Sequence, residues 1–276
     1  MMNTKASANF SKLKPSLFAL PLFLLLAIVL YLYIQHALSV NQYIQIQKDS
    51  FIFINSKLSQ FPSVAYNLTQ LGDALISLSI LSIFILYAPK FWESLISASL
   101  VSIILSRLPK EIFAVPRPAA VFDKNSFVIV GKALYGGTSL PSGHSITIFT
   151  TLTVLLFAFM PQKLTQKIAW SFSIIITGLM LAFTRVAVGA HYPLDVITGS
   201  IIGYISGLTG IFISRKYKTW NWISNKKYYP ILIVLFLGCG IAIINKILDE
   251  NLVIFYFSLA CLVVSLYKIT SAYVQK

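Results

Sequence analysis

The sequence predicts an all-α protein, a polytopic transmembrane helical bundle, and three observations carry that expectation. Of its 276 residues 57% are hydrophobic and only 11% charged, against about 45 to 50% apolar and about 25% charged in ordinary soluble domains. Apolar runs of the roughly 20 residues needed to cross a ~30 Å hydrocarbon core recur from Ser16 to Thr270. No connection between them is long enough to hold a separate soluble domain.

Eight membrane helices are expected, near residues 16–38, 64–88, 92–108, 142–160, 168–186, 194–214, 230–246 and 252–267. Lys5, Lys12 and Lys14 precede the first, as in a signal peptide. The run from Leu17 to Leu38 exceeds the usual h-region of about 7 to 15 residues, so an uncleaved helix is the better reading. The third run is short and carries Glu93 near its start. Cys239 and Cys261 both lie inside apolar runs, where a thiol behaves as a small hydrophobe, so neither a disulfide framework nor a metal site is expected.

The net charge of +14 would suggest nucleic-acid binding in a soluble chain. Here it reports topology. With the amino terminus inside, one side holds Lys5, Lys12, Lys14, Lys90, Lys163, Lys167, Arg215, Lys216, Lys218, Lys226, Lys227, Lys268 and Lys276, 13 of the 22 bases, and a single acid, Glu93. Trp92, Trp170, Trp220 and Trp222 fall at the same helix ends, where an amphipathic ring suits the headgroup layer. The bilayer is therefore the expected partner, and nucleic acid is not.

Residues 39–63 alternate apolar and polar residues without the length to span twice, and are expected along the outer interface, as a lid or as a passive connection.

Three clusters place ionisable residues at the outer helix ends, where they are costly unless used or paired. In KEIFAVPRP, Lys110 and Arg117 lie seven residues apart after the third helix, two cations suited to a doubly charged anion. In PSGH, Pro141 is expected to start the fourth helix. The free amides of its first turn then point at an anion, Ser142 and Gly143 allow close approach, and His144 stands within reach. In RVAVGAHYPLD, Arg185 ends the fifth helix, His191 lies in a tight turn, and Pro193 starts the sixth with Asp195 in its first turn. A carboxylate four residues beyond a histidine can hold one ring nitrogen's proton and present the other nitrogen's lone pair.

Each cluster alone reads more readily as solvated charge, a capped helix or a structural His-Asp pair. The charge-derived topology brings all three to one membrane face. Together they supply three phosphate-gripping cations, an amide nest and two histidines, the inventory for phosphoryl transfer without a metal or other cofactor.

KxxxxxxRP, PSGH and RxxxxxHxxxD resemble the three signature motifs of the type 2 phosphatidic acid phosphatase and vanadium haloperoxidase superfamily, covering Lys110 to Asp195. One position departs: Thr184 stands where the family usually has serine. The resemblance implies a six-helix phosphatase core over residues 1–215, leaving 216–276 as a basic cytoplasmic loop and two additional transmembrane helices. It also implies that His191 is the nucleophile and forms a phosphohistidine, with Asp195 orienting it. His144 would protonate the leaving oxygen, while Lys110, Arg117, Ser142, Gly143 and Arg185 hold the phosphate.

The function this favours is hydrolysis of a lipid phosphate or diphosphate, with undecaprenyl diphosphate, phosphatidylglycerol phosphate, phosphatidic acid and the lipid A phosphates as candidates. A phosphotransferase passing phosphate to a second lipid would use the same residues. A haloperoxidase is disfavoured by the composition, and a scaffold has no need of the His-Asp pair. The expected location is a bacterial cytoplasmic membrane with the site facing outward. Asp73, near the outer end of the second helix, is expected to serve helix packing or to position His or Arg groups, with packing slightly favoured, and His36, at the outer end of the first, is expected to be structural.

Overall fold

The computed structural model describes residues 2–275, so Lys276 lies outside the described residues. The helices in chain order are α1 (Met2–Ser11), α2 (Ala19–Ile34), α3 (Val40–Gln45), α4 (Lys48–Leu58), α5 (Pro62–Thr69), α6 (Ala74–Leu81), α7 (Pro89–Phe113) and α8 (Pro118–Val121). They are followed by α9 (Gly143–Ala158), α10 (Leu164–Ala187), α11 (Pro193–Tyr217), α12 (Tyr229–Glu250) and α13 (Val253–Val274). The protein is all-α and polytopic, and among the described residues six helical segments are long and apolar enough to cross a membrane.

Two of the eight expected spans differ from expectation. The second is broken: Pro62–Gly72 and Ala74–Phe84 meet at 77°. Asp73 takes an extended conformation and caps α6, its Oδ1 accepting from the Leu75 amide at 2.8 Å. Its Oδ2 pairs with Lys246 of α12 at 3.0 Å, so Asp73 joins the break to the C-terminal hairpin rather than reaching the motif residues. The fourth, α9, has only 16 residues. His36 is exposed, with a left-handed φ of 52° just past α2.

Helix α11 is the hub, packed most extensively on α9 and α7. Small residues make this possible. A Cβ on Gly203 would lie 2.5 Å from the Ile146 carbonyl oxygen, and one on Gly210 would lie 2.3 Å from the Ala98 backbone nitrogen. Close backbone approach of this kind is how membrane helices gain packing without a hydrophobic drive between them. By contrast α2 turns most of its side chains outward, as a helix facing lipid does.

The bundle has two chemically distinct ends. At one, α1 packs against the C-terminal end of α9: the Asn9 amide donates to the carbonyls of Ala158 (3.1 Å) and Met160 (3.0 Å). The buried Glu93 is neutralised there by Lys90 at 2.8 Å. The four tryptophans gather at this end, with indole nitrogens donating to Leu81, Leu156 and Ser97 from Trp92, Trp170 and Trp220. The three motifs lie at the other end.

Residues 39–63 form α3, α4 and the start of α5, and are bolted down. Asn55, fully buried, accepts from the Val128 amide and donates to the carbonyls of Val128, Val186 and Ala187. Phe51, also fully buried, stacks edge-on against Tyr192 and Phe127. The C-terminal hairpin, α12 and α13, docks through α13 on α6 and residues 82–84, where Ser82 and Ser265 share a hydroxyl hydrogen bond of 2.7 Å.

Candidate active site

The motif residues converge where the C-terminal ends of α7 and α10 meet the N-terminal ends of α9 and α11. Lys110 is in the last turn of α7, which runs through Pro109 to Phe113, so it is a helical residue rather than one beyond the helix end. Its Nζ reaches α9: a Cβ added to Gly143 would sit 3.2 Å from it. Arg117 caps the short α8. Helix α9 begins at Gly143 with Ser142 as N-cap, so Pro141 lies two residues before the first residue of the helix it was expected to start. The Ser142 hydroxyl accepts from the Ser145 hydroxyl at 2.9 Å. The amides of the first turn, at the positive end of a helix dipole, thus lie beside a lysine ammonium.

Arg185 is in the last turn of α10 and is buried. One of its terminal nitrogens donates to Thr69 in the broken second span at 3.0 Å, while its Nε is buried without a partner among the described residues. A buried, unpaired guanidinium donor is costly, and an anion would satisfy it. Gly72, from the same span, is pressed against His144: a Cβ there would lie 2.5 Å from the histidine Cβ. The Thr184 hydroxyl donates to the Leu181 carbonyl of its own helix at 2.5 Å.

His191 lies in the turn between α10 and α11, made tight by Gly189 at a φ of +74°. It is 1% exposed, which leaves its ring to be governed by its neighbours. Arg117 lies 3.2 Å from Nε2. A guanidinium can only donate, so Nε2 must be the acceptor and the proton must sit on Nδ1. This is the tautomer a nucleophilic Nε2 requires. Burial, then the charges of Arg117, Arg185 and Lys110, hold the ring well below the ordinary histidine pKa of 6.5 and keep it neutral.

Behind the ring stands Asp195, fully buried in the first turn of α11. Its Oδ2 is 3.5 Å from Nδ1, long for a hydrogen bond. Shorter contacts come from elsewhere: Oδ2 accepts from the Ser139 hydroxyl at 2.5 Å and from the Tyr192 amide at 3.0 Å, and Oδ1 accepts from Tyr43 at 2.7 Å. Ser139 Oγ is itself 3.5 Å from Nδ1. Burial and the neighbouring Asp195 push the Tyr43 phenol upward, so it remains a donor. Gln47 completes the attachment, accepting from the Leu194 amide at 2.8 Å and donating to the Tyr43 carbonyl at 2.9 Å.

All eight motif residues expected at one end of the bundle are at that end. Tyr43, Ser139 and Thr69 join them without having been singled out. The only sequence signal for Ser139 is a hydroxyl two residues before Pro141, and for Tyr43 a polar tip in an alternating stretch.

Residues 90–222 match the family model of the PAP2 superfamily. That stretch, just under half of the chain, is similar to the superfamily, and the relatives it resembles are phosphatases. It is 26% identical to an undecaprenyl-diphosphatase of Sulfolobus acidocaldarius, over 65% of this chain and 84% of that protein. It is 34% identical to a lipid A 1-phosphatase of Rhizobium etli, over 46% of this chain and 54% of that one. Against a phosphatidylglycerophosphatase B of Haemophilus influenzae it is 26% identical, over 59% and 86%. The crystal structure of Aquifex aeolicus LpxE superposes with a TM-score of 0.51 at 25% identity, covering 60% of this chain and 95% of that one.

Proposed function

We propose that this protein hydrolyses a lipid phosphate or diphosphate at the motif end of the bundle through a phosphohistidine on His191. The observation that carries the reading is the neutral His191, with its Nε2 lone pair turned toward Arg117 and its Nδ1 backed by Ser139 and Asp195.

Arg117 exchanges the imidazole for a phosphate oxygen when substrate arrives, uncovering the lone pair. Lys110, Arg185 and the first amides of α9, with Ser142 as their cap, hold the remaining oxygens and the charge that grows on them. His191 Nε2 attacks phosphorus as the bond to the lipid oxygen breaks, and His144 gives that oxygen its proton. His144 then takes a proton from water, whose oxygen displaces the histidine and releases phosphate. Asp195 stabilises the charge on the ring while phosphorus is attached.

The substrate is a lipid because the site opens at a helix end of an integral membrane protein, where headgroups diffuse laterally. The named relatives act, by their names, on undecaprenyl diphosphate, lipid A and phosphatidylglycerophosphate. Undecaprenyl diphosphate, phosphatidylglycerol phosphate, phosphatidic acid and lipid A phosphates therefore form the panel to assay. The side opposite the lysines and tryptophans is the extracytoplasmic face of a cytoplasmic membrane. Residues 1–215 form the phosphatase core, and 216–276 are an accessory loop and hairpin.

The test is phosphate release from that panel by purified protein without added metal, with labelled phosphate trapped on the enzyme by rapid quench. His191→Ala abolishes both turnover and trapping, and His144→Ala lowers turnover roughly 10²- to 10⁴-fold. Wild-type turnover by His191→Ala sinks the assignment, and label passing to a second lipid in place of water marks a phosphotransferase.

A further inference from the structure

We propose that Tyr43, on the strap formed by α3 and α4, is a positioning residue that works with Ser139 to hold the Asp195 carboxylate in the orientation that keeps His191 in its Nδ1–H form. The inference rests on the reading of His191 as nucleophile, and it concerns residues that no motif contains. Tyr43 lies outside the stretch that matches the superfamily, residues 90–222.

Asp195 is fully buried, so its charge is served by protein donors. The donors divide unevenly. Oδ2 accepts from Ser139 and the Tyr192 amide, whereas among the described residues the one hydrogen bond to Oδ1 comes from Tyr43. His191 Nδ1 stands 3.5 Å from Oδ2 and also 3.5 Å from Ser139 Oγ. A carboxylate gripped on both oxygens neither turns away from the ring nor collapses onto it, and the Ser139 oxygen, having given its proton to Asp195, offers lone pairs to Nδ1–H.

The strap is built for this. Gln47 ties Tyr43 to the Leu194 amide, one residue from Asp195, and Asn55 ties α4 to the carbonyls of Val186 and Ala187, which open the His191 turn. A connection that merely linked two spans would need none of these bonds to the two flanks of the catalytic turn.

Removing the hydroxyl in Tyr43→Phe leaves Oδ1 without a donor while keeping the ring in its packed place. The carboxylate then turns toward its nearest remaining donors, Ser139 and His191 Nδ1. Loss of one hydrogen bond to a charged group corresponds to about 10- to 100-fold in kcat, and KM changes little because Tyr43 does not touch the phosphate.

The experiment has two arms on the full-length protein in detergent or nanodiscs. The first measures kcat and KM for wild type, Tyr43→Phe, Asp195→Asn and the double variant on the lipid that wild type turns over best. If Tyr43 acts through Asp195, Tyr43→Phe lowers kcat in the wild-type background and adds almost nothing in Asp195→Asn. Equal losses in both backgrounds overturn the proposal.

The second arm needs no turnover. The chain has only three histidines, so ¹⁵N-histidine spectra resolve His191, identified by its loss in His191→Gln. Tyr43→Phe and Ser139→Ala each shift the Nδ1 resonance, and Ser139→Thr, which keeps the hydroxyl, restores it. An unmoved Nδ1 resonance in folded Tyr43→Phe and Ser139→Ala overturns the proposal whatever the enzyme hydrolyses. An inactive wild type with a shifting resonance would instead count against the proposed function.

Discussion

Gly143→Ala separates a catalytic glycine from a packing one. The new Cβ would lie 3.2 Å from Lys110 Nζ and 3.7 Å from Ser106 Oγ. The first distance is inside ordinary van der Waals contact, but the obstructing atom is the tip of a flexible side chain, so Lys110 gives way and the fold holds. Alanine in place of a helical glycine contributes about 0.5 to 1 kcal/mol of stability, so the melting temperature holds or rises. The methyl group meanwhile occupies the space where a phosphate oxygen approaches the α9 amides and displaces the lysine beside it. One charge-assisted hydrogen bond weakened or lost is worth about 1.5 to 3 kcal/mol, or roughly 10- to 150-fold in kcat/KM. Phosphate release and a thermal melt on the same preparation read both quantities. Unchanged kcat/KM would refute the placement of phosphate against the α9 terminus, and a fall in kcat/KM matched by a fall in melting temperature would refute the argument that the glycine serves substrate.

Gly210→Ala is expected to do the reverse: its Cβ would meet the Ala98 backbone nitrogen and Cα at 2.3 Å, which cannot yield, so the α11–α7 contact opens at a cost of about 1 to 3 kcal/mol or more, read as a lower unfolding midpoint. Asn55→Ala strands the Val128 amide and the Val128 and Ala187 carbonyls, leaves the Val186 carbonyl only the Gly189 amide among the described residues, and is expected to lower the midpoint by the equivalent of about 2 to 4 kcal/mol, with kcat falling alongside. Native His191 refuses a proton that the unfolded chain accepts below about pH 6.5, so stability falls with falling pH by at most about 1.4 kcal/mol per unit. Melts at pH 7.5 and 5.5 check this, and His191→Gln should show a smaller loss.

The motif residues were legible because phosphoryl transfer restricts side-chain choice: only Lys, Arg and His grip and attack phosphorus this way, and charge at the end of an apolar run is conspicuous. Charge asymmetry and tryptophan placement then assigned the motifs to one end of the bundle, as observed. The break at Gly72–Asp73 was hidden because the apolar residues after it keep the two halves together apolar enough for one span, even though residues 67–73 are themselves polar. Its signals, a glycine and an aspartate capping the next turn, are ordinary in a helix end. Tyr43 and Ser139 were hidden for a different reason: a hydroxyl in a semi-apolar stretch has no spacing rule that ties it to a carboxylate more than fifty residues away. Pro141 misled by two positions, since a proline before an N-cap and a proline at the first helical residue look alike in sequence.

The 16 residues of α9 rise only ~24 Å, about 6 Å less than a typical hydrocarbon core. The mismatch falls on the helix whose first turn is the proposed phosphate site. Because α9 is enclosed by α7, α10 and α11 and exposes no side chain to lipid, the shortfall is met by the site sitting below the surrounding headgroup plane. A phosphate entering the site then moves inward while its tails remain in hydrocarbon, and the depth of that step is set by the host bilayer. Turnover should therefore respond to acyl-chain length in reconstituted membranes, making membrane thickness a control on the enzyme that no residue of its active site encodes.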